Sequence, residues 1–133
     1  MNTISFTNSE KKRLKNLGIT CLILFGSQAQ RLTHTGSDID IGILTNPMAN
    51  RKKIYDMLFE LISDKIKKPI DIDIVFLESA PLEMKEHILR YGVVLFETDG
   101  NAFPNFKERA MTELADLEPI RKMFEEQILA RIP

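Results

Sequence analysis

The stretch Ile19-Thr20-Cys21-Leu22-Ile23-Leu24-Phe25-Gly26-Ser27 carries no charge, and after ten intervening residues the chain reads Asp38-Ile39-Asp40-Ile41-Gly42-Ile43-Leu44. The first segment, about Ile19 to Phe25, is continuously apolar, the pattern of a strand covered on both faces. The second, about Asp38 to Leu44, alternates. Its period of two puts Ile39, Ile41 and Ile43 on one face and Asp38, Asp40 and Gly42 on the other. Two strands flanking a glycine-serine turn begin a sheet, and the order of helices and strands around them implies an α/β class.

The flanking sequence fits that sheet. Thr7 and Glu10 have capping-box spacing for a helix over about Ser9 to Asn16, and Gly18 suits the position past its end. Ser27 leads into a polar segment, Gln28 to Thr35, expected to open as a helical turn. Asn46-Pro47 reads as a helix start, with Ile54, Leu58, Leu61 and Ile62 at helical spacing up to about Lys65. A third strand, Ile70 to Phe76, carries Asp71 and Asp73 on one face. A helix follows from Ser79-Ala80-Pro81 to near Tyr91-Gly92, then a strand over Val93 to Glu97. The remainder reads as amphipathic helix: Phe103, Phe106, Ala110, Leu114 and Leu117 share a stripe, and Pro119 is expected to break or kink it. The expectation is a mixed sheet of about four strands with helices packed on it and C-terminal helices, an α/β (α+β) fold.

At 133 residues the chain is expected to form one domain, with a core over about residues 19–98 and a helical extension over about 103–132. Apolar residues make up 44% and charged residues 28%, and the net charge is −1, without the basic surplus of a general nucleic-acid or membrane binder. The single cysteine, Cys21, cannot form an intrachain disulfide and reads as a buried thiol. No signal-peptide pattern or membrane-length apolar run is present, so a cytoplasmic location is expected.

Chemistry concentrates in the carboxylates. Asp38 and Asp40 leave the same strand face, and at about 6 Å with an effective dielectric near 20 their repulsion is roughly 3 kcal/mol. A divalent cation compensates such a pair economically. Asp71 and Asp73 form a second pair, and if the two strands are neighbours the carboxylates converge. Oxygen-only ligands suit Mg²⁺ or Mn²⁺. Gly26 lets backbone approach a ligand closely, and the amides after it, with the Ser27 hydroxyl, suit phosphate oxygens. An anion cradle beside an acidic metal site is the layout of phosphoryl or nucleotidyl transfer.

A glycine-serine pair, ten residues, Asp38-Ile39-Asp40 and a further Asp on a later strand resemble the polymerase-beta-type nucleotidyltransferase superfamily, and within it the minimal nucleotidyltransferase (MNT) group. The likeness covers about residues 19–98 and includes Leu77-Glu78-Ser79-Ala80-Pro81 and Ile88-Leu89-Arg90-Tyr91-Gly92-Val93-Val94-Leu95-Phe96-Glu97. By that resemblance Gly26 and Ser27 hold the nucleoside triphosphate, Asp38 and Asp40 bind the metals, and Asp73 is the third carboxylate and activates the acceptor hydroxyl. Strand parity leaves Asp71 and Asp73 open; the family pattern, counted back from Leu77, selects Asp73. The family often has a second glycine where this chain has Arg31. The resemblance further implies Mg²⁺-dependent transfer of AMP from ATP to a HEPN-domain protein, the chain acting as the antitoxin of a toxin–antitoxin pair. A small-molecule hydroxyl as acceptor, or a non-catalytic masking antitoxin, are the alternatives.

Other polar residues read as ordinary surface: His34 in the polar loop, His87 on a helix beside Glu83 and Glu86, and the basic run Lys65, Lys67 and Lys68 at a helix end. Phe103, Phe106, Met111, Met123 and Phe124 either cover the sheet or form a docking face.

Overall fold

The computed structural model describes residues 4–26, 39–66 and 71–131. Its elements follow the order α1 (Asn8–Asn16), β1 (Ile19–Phe25), β2 (Ile39–Thr45), α2 (Arg51–Lys65), β3 (Ile72–Phe76), a 3₁₀ turn at Leu77–Ser79, α3 (Leu82–Tyr91), β4 (Val93–Glu97) and α4 (Ala102–Ala130). The polar segment Gln28 to Thr35 lies outside the described residues.

Local chemistry sets most boundaries. The Thr7 hydroxyl accepts from the Glu10 amide at 3.2 Å, and the Glu10 carboxylate accepts from the Thr7 amide at 2.8 Å, so the capping box is complete. Gly18 leaves the helix at φ +91°, and its carbonyl accepts the Asn46 amide at 2.8 Å. That bond engages Asn46 in a turn. The expected start of α2 at Asn46-Pro47 is therefore corrected: Asn50 is the cap, its side chain accepting the Lys53 amide at 3.1 Å. Asn50 offers the same chemistry one turn later and leaves Pro47 in the connection.

Four strands pair in the order β3-β2-β1-β4. β1 is antiparallel to β2 and to β4, while β2 and β3 run parallel. The mixed sheet separates two apolar layers. On one face, Leu22, Leu24, Ile41 and Ile43 pack with Leu14 of α1 and with Ile54, Leu58 and Ile62 of α2. On the other, Cys21, Ile23, Phe25 and Leu44 pack with Leu77, Ile88 of α3 and Phe106 of α4. β1 is thus buried on both sides, as its sequence implies; β2, whose sequence alternates, is also buried on both sides apart from Asp40. Lys65, at the end of α2, donates to Glu10 at 2.7 Å and ties the two helices of the first layer.

Gly42 lies where Leu77 closes on β2. A Cβ built there would stand 2.7 Å from Leu77 Cδ2 and 2.9 Å from Cδ1, and Leu77 is fully buried. The glycine is required by space, not by backbone angle.

Pro119 does not break α4, which continues from Ala102 to Ala130. The proline removes the donor to the carbonyl of Ala115, and Ala115 is exposed, so solvent can satisfy that carbonyl. The expected stripe also divides: Phe106 and Ala110 are buried, whereas Leu117 is exposed. No helix among the described residues is long and apolar enough to cross a membrane.

Two outcomes follow from the packing. Gly42→Ala should lower stability by about 1–3 kcal/mol through overpacking against Leu77, read by urea denaturation. Burial, reinforced by the charge of Glu97, pushes the Cys21 thiol up to about 12. The native protein should accordingly resist a thiol reagent at pH 8 and react fully once unfolded.

Candidate active site

The pairing of β2 with β3 determines which acidic side chains stand together. Its parallel register sets Ile39 against Ile72, Asp40 against Asp73 and Ile41 against Ile74. Isoleucines 39 and 41 face the α1–α2 layer, so Asp40 and Asp73 project from the α3–α4 face, on strands about 4.8 Å apart. Asp40 is half-buried and Asp73 exposed. Carboxylates placed directly abreast repel, and this arrangement is unfavourable unless a cation or donors meet them.

Asp71 occupies a different position. It precedes β3, and its carbonyl accepts the Ile39 amide at 2.8 Å. Its backbone thus helps seat the start of β2, while Asp73 is the residue abreast of Asp40. Parity along one strand does not distinguish the two aspartates; the cross-strand register places Asp73, not Asp71, abreast of Asp40.

Gly26 completes the corner. β1 ends at Phe25, which pairs with Asp40, and Gly26 turns away at φ +80°, a conformation that side chains other than glycine rarely adopt. A Cβ there would overlap the Asp40 carboxylate and stand 3.1 Å from its Cγ. The sequence suggests a glycine making room for a ligand; here the space beside it holds the Asp40 side chain itself. Ser27, Asp38, Arg31 and His34 lie outside the described residues, as do Lys67 and Lys68.

One neighbour is not apparent from the sequence. His87 is half-buried, not an ordinary surface residue, and its ring stands 6.4 Å from that of Phe25 at 71°. Tyr91 continues the row, 5.0 Å from His87. The topology explains the contact: Val93 pairs with Leu24, so the last turn of α3 must arrive at the Gly26 end of β1. The i, i+4 spacing of His87 and Tyr91 before Gly92 is the one signal the sequence offers.

A substitution at Gly26 tests this corner. Gly26→Ala should cost about 1–3 kcal/mol through its backbone angle alone, and more through the clash. Adding Asp40→Ala should recover the clash component, giving a coupling of about 1 kcal/mol or more in a double-mutant cycle by urea denaturation. Strict additivity would mean that the two residues do not touch.

Residues 8–101 match the family described as polymerase beta, nucleotidyltransferase. The chain is 30% identical over 114 residues to the protein adenylyltransferase MntA of Aphanizomenon flos-aquae (strain 2012/KM1/D3), over 76% of this chain and 72% of that protein. Among solved structures, a chain of a toxin–antitoxin complex with AMP-PNP superposes with a TM-score of 0.69 at 24% identity, covering 92% of this chain and 99% of its own. A chain from the complex of a tri-AMPylated Shewanella oneidensis HEPN toxin with its MNT antitoxin gives a TM-score of 0.61 at 19% identity, covering 90% and 95%. The family match stops at residue 101, just before α4. The solved chains extend further: with 92% of the 133 residues covered, about eleven fall outside, fewer than the 29 residues of α4. From the fold, the Gly26 and Asp40 corner and the extent of these matches, the chain belongs to the polymerase beta nucleotidyltransferase family.

Proposed function

We propose that this chain transfers AMP from ATP to a hydroxyl on a HEPN-domain protein, acting as the antitoxin of a toxin–antitoxin pair. One observation carries the reading: Asp40 and Asp73 stand abreast beside the Gly26 turn. The name of the A. flos-aquae relative favours a protein acceptor over a small molecule.

In this reading the acceptor oxygen attacks the α-phosphorus of ATP. A new O–P bond forms, the bond from the α-phosphorus to the α,β-bridging oxygen breaks, and pyrophosphate leaves with that electron pair. Asp73, the more open of the two carboxylates, takes the proton of the attacking hydroxyl or passes it to water. Gly26 and Ser27 hold the triphosphate, the serine through its hydroxyl and the adjacent amides. Asp40, fixed against the Gly26 backbone, keeps its carboxylate in one place while substrates exchange. Mg²⁺ fits the donor set, since Asp40 and Asp73 present only oxygens; Asp38 joins them by family resemblance, and Asp71 stands in reserve. When bound, the ion supplies charge neutralisation at the triphosphate and lowers the pKa of the attacking hydroxyl.

Incubation with α-labelled ATP, Mg²⁺ and the HEPN-domain protein of the same organism should label that protein covalently. Asp40→Asn and Asp73→Asn should each lower the labelling rate by about a hundredfold or more, whereas Asp71→Asn should leave it within a few fold. Chelation of divalent ions should abolish transfer. Full neutralisation of the toxin by the Asp40→Asn, Asp73→Asn double variant without any labelling would replace this reading with a masking role.

A further inference from the structure

Of thirteen large hydrophobic side chains exposed among the described residues, six lie on α4 from Leu117 onward: Leu117, Ile120, Met123, Phe124, Ile128 and Leu129. All but Leu129 fall within an arc of about 140° at 100° per residue, wide enough to seat against another surface. That arc continues a face already in use. Phe106 and Ala110, which α4 buries against the sheet, lie on the same side of the helix as Leu117, Phe124 and Ile128. The core runs out before the helix does: 29 residues span about 43 Å, whereas a seven-residue strand spans about 23 Å. Among the described residues, ion pairs join the helix to α3 from Lys85 to Glu113 at 3.4 Å and from Glu86 to Arg121 at 4.0 Å. Beyond them Phe124 is 62% and Ile128 60% exposed.

We infer that this distal face of α4 is the docking surface for the acceptor protein; the assignment rests on the transfer reaction proposed above. Three observations choose the occupant. From Leu117 to Arg131 the helix carries Glu118, Glu125 and Glu126 against Arg121, Lys122 and Arg131, a neutral rim that suits neither nucleic acid nor an anionic membrane. The apolar face opens on the α3 side of the sheet, the side from which Asp40 and Asp73 project, so a protein seated there shares that side with the carboxylates. Most of α4 also lies outside the family match and inside the span shared with solved chains of toxin–antitoxin complexes. The occupant is a protein with an apolar strip bordered by charges of both signs.

The test uses the full chain carrying Phe124→Asp and Ile128→Asp, both on exposed positions. Its partner is the HEPN-domain protein of the same organism. Wild type should bind it, and the double variant should bind roughly thirtyfold or more weakly by calorimetry. ATP affinity and thermal unfolding should stay unchanged. Unaltered binding, or no binding by wild type, would overturn the assignment. So would a wild-type homodimer that the double variant dissociates, because the face would then be self-pairing. Binding does not require catalysis, so lost binding in the variant beside a wild type that labels nothing would reject the transfer reaction and leave the docking face standing.

Discussion

Parallel hydrogen bonding between β2 and β3 is the constraint on which the site depends. Within such a pair, each register position decides which two side chains stand abreast, and a shift by one residue would turn every side chain to the opposite face. Here the register is held by apolar side chains. Ile39, Ile41 and Ile43 must meet Ile54, Leu58 and Ile62 in the α1–α2 layer, and that requirement forces Asp40 to the other side. Gly42 and Leu77 add a second lock, since Leu77 fills the space above a residue that has no Cβ. Two carboxylates are therefore brought together by the hydrophobic core, not by any attraction of their own.

That arrangement works against folding and in favour of binding. The repulsion between abreast carboxylates, of the order of 3 kcal/mol, is met by burial of isoleucine and leucine side chains worth roughly 1.5–3 kcal/mol each. Gly26 adds a backbone conformation in the left-handed region, next to the carboxylate it accommodates. Two carboxylates abreast and a constrained turn are features that a cation and a triphosphate would stabilise.

The legible parts of the fold were those set by local chemistry. Thr7, Glu10 and Gly18 delimit α1 through bonds within a few residues, and the uncharged run of β1 could only be a strand buried on both faces. Asn46-Pro47 misled because Asn50 carries the same capping ability; the bond from the Asn46 amide to Gly18 decides between them and joins residues far apart in sequence. Asp71 and Asp73 are indistinguishable by parity; the family pattern selects Asp73, and the strand register places that residue abreast of Asp40. His87 against Phe25 belongs to the same class: the contact exists because β4 is antiparallel to β1. In α4 the amphipathic pattern was visible, but not the point at which the sheet ends and the apolar face becomes exposed.

We propose that Asp40 and Asp73 jointly hold the ion that meets the nucleotide. A crystal structure of the protein with Mn²⁺ and a non-hydrolysable ATP analogue, using anomalous scattering to place the metal, tests it directly. The expected result is a metal peak beside the Asp40 and Asp73 carboxylates, with the triphosphate near the Gly26 turn. A nucleotide bound away from the β2–β3 pair, or a metal held without either carboxylate, would contradict it.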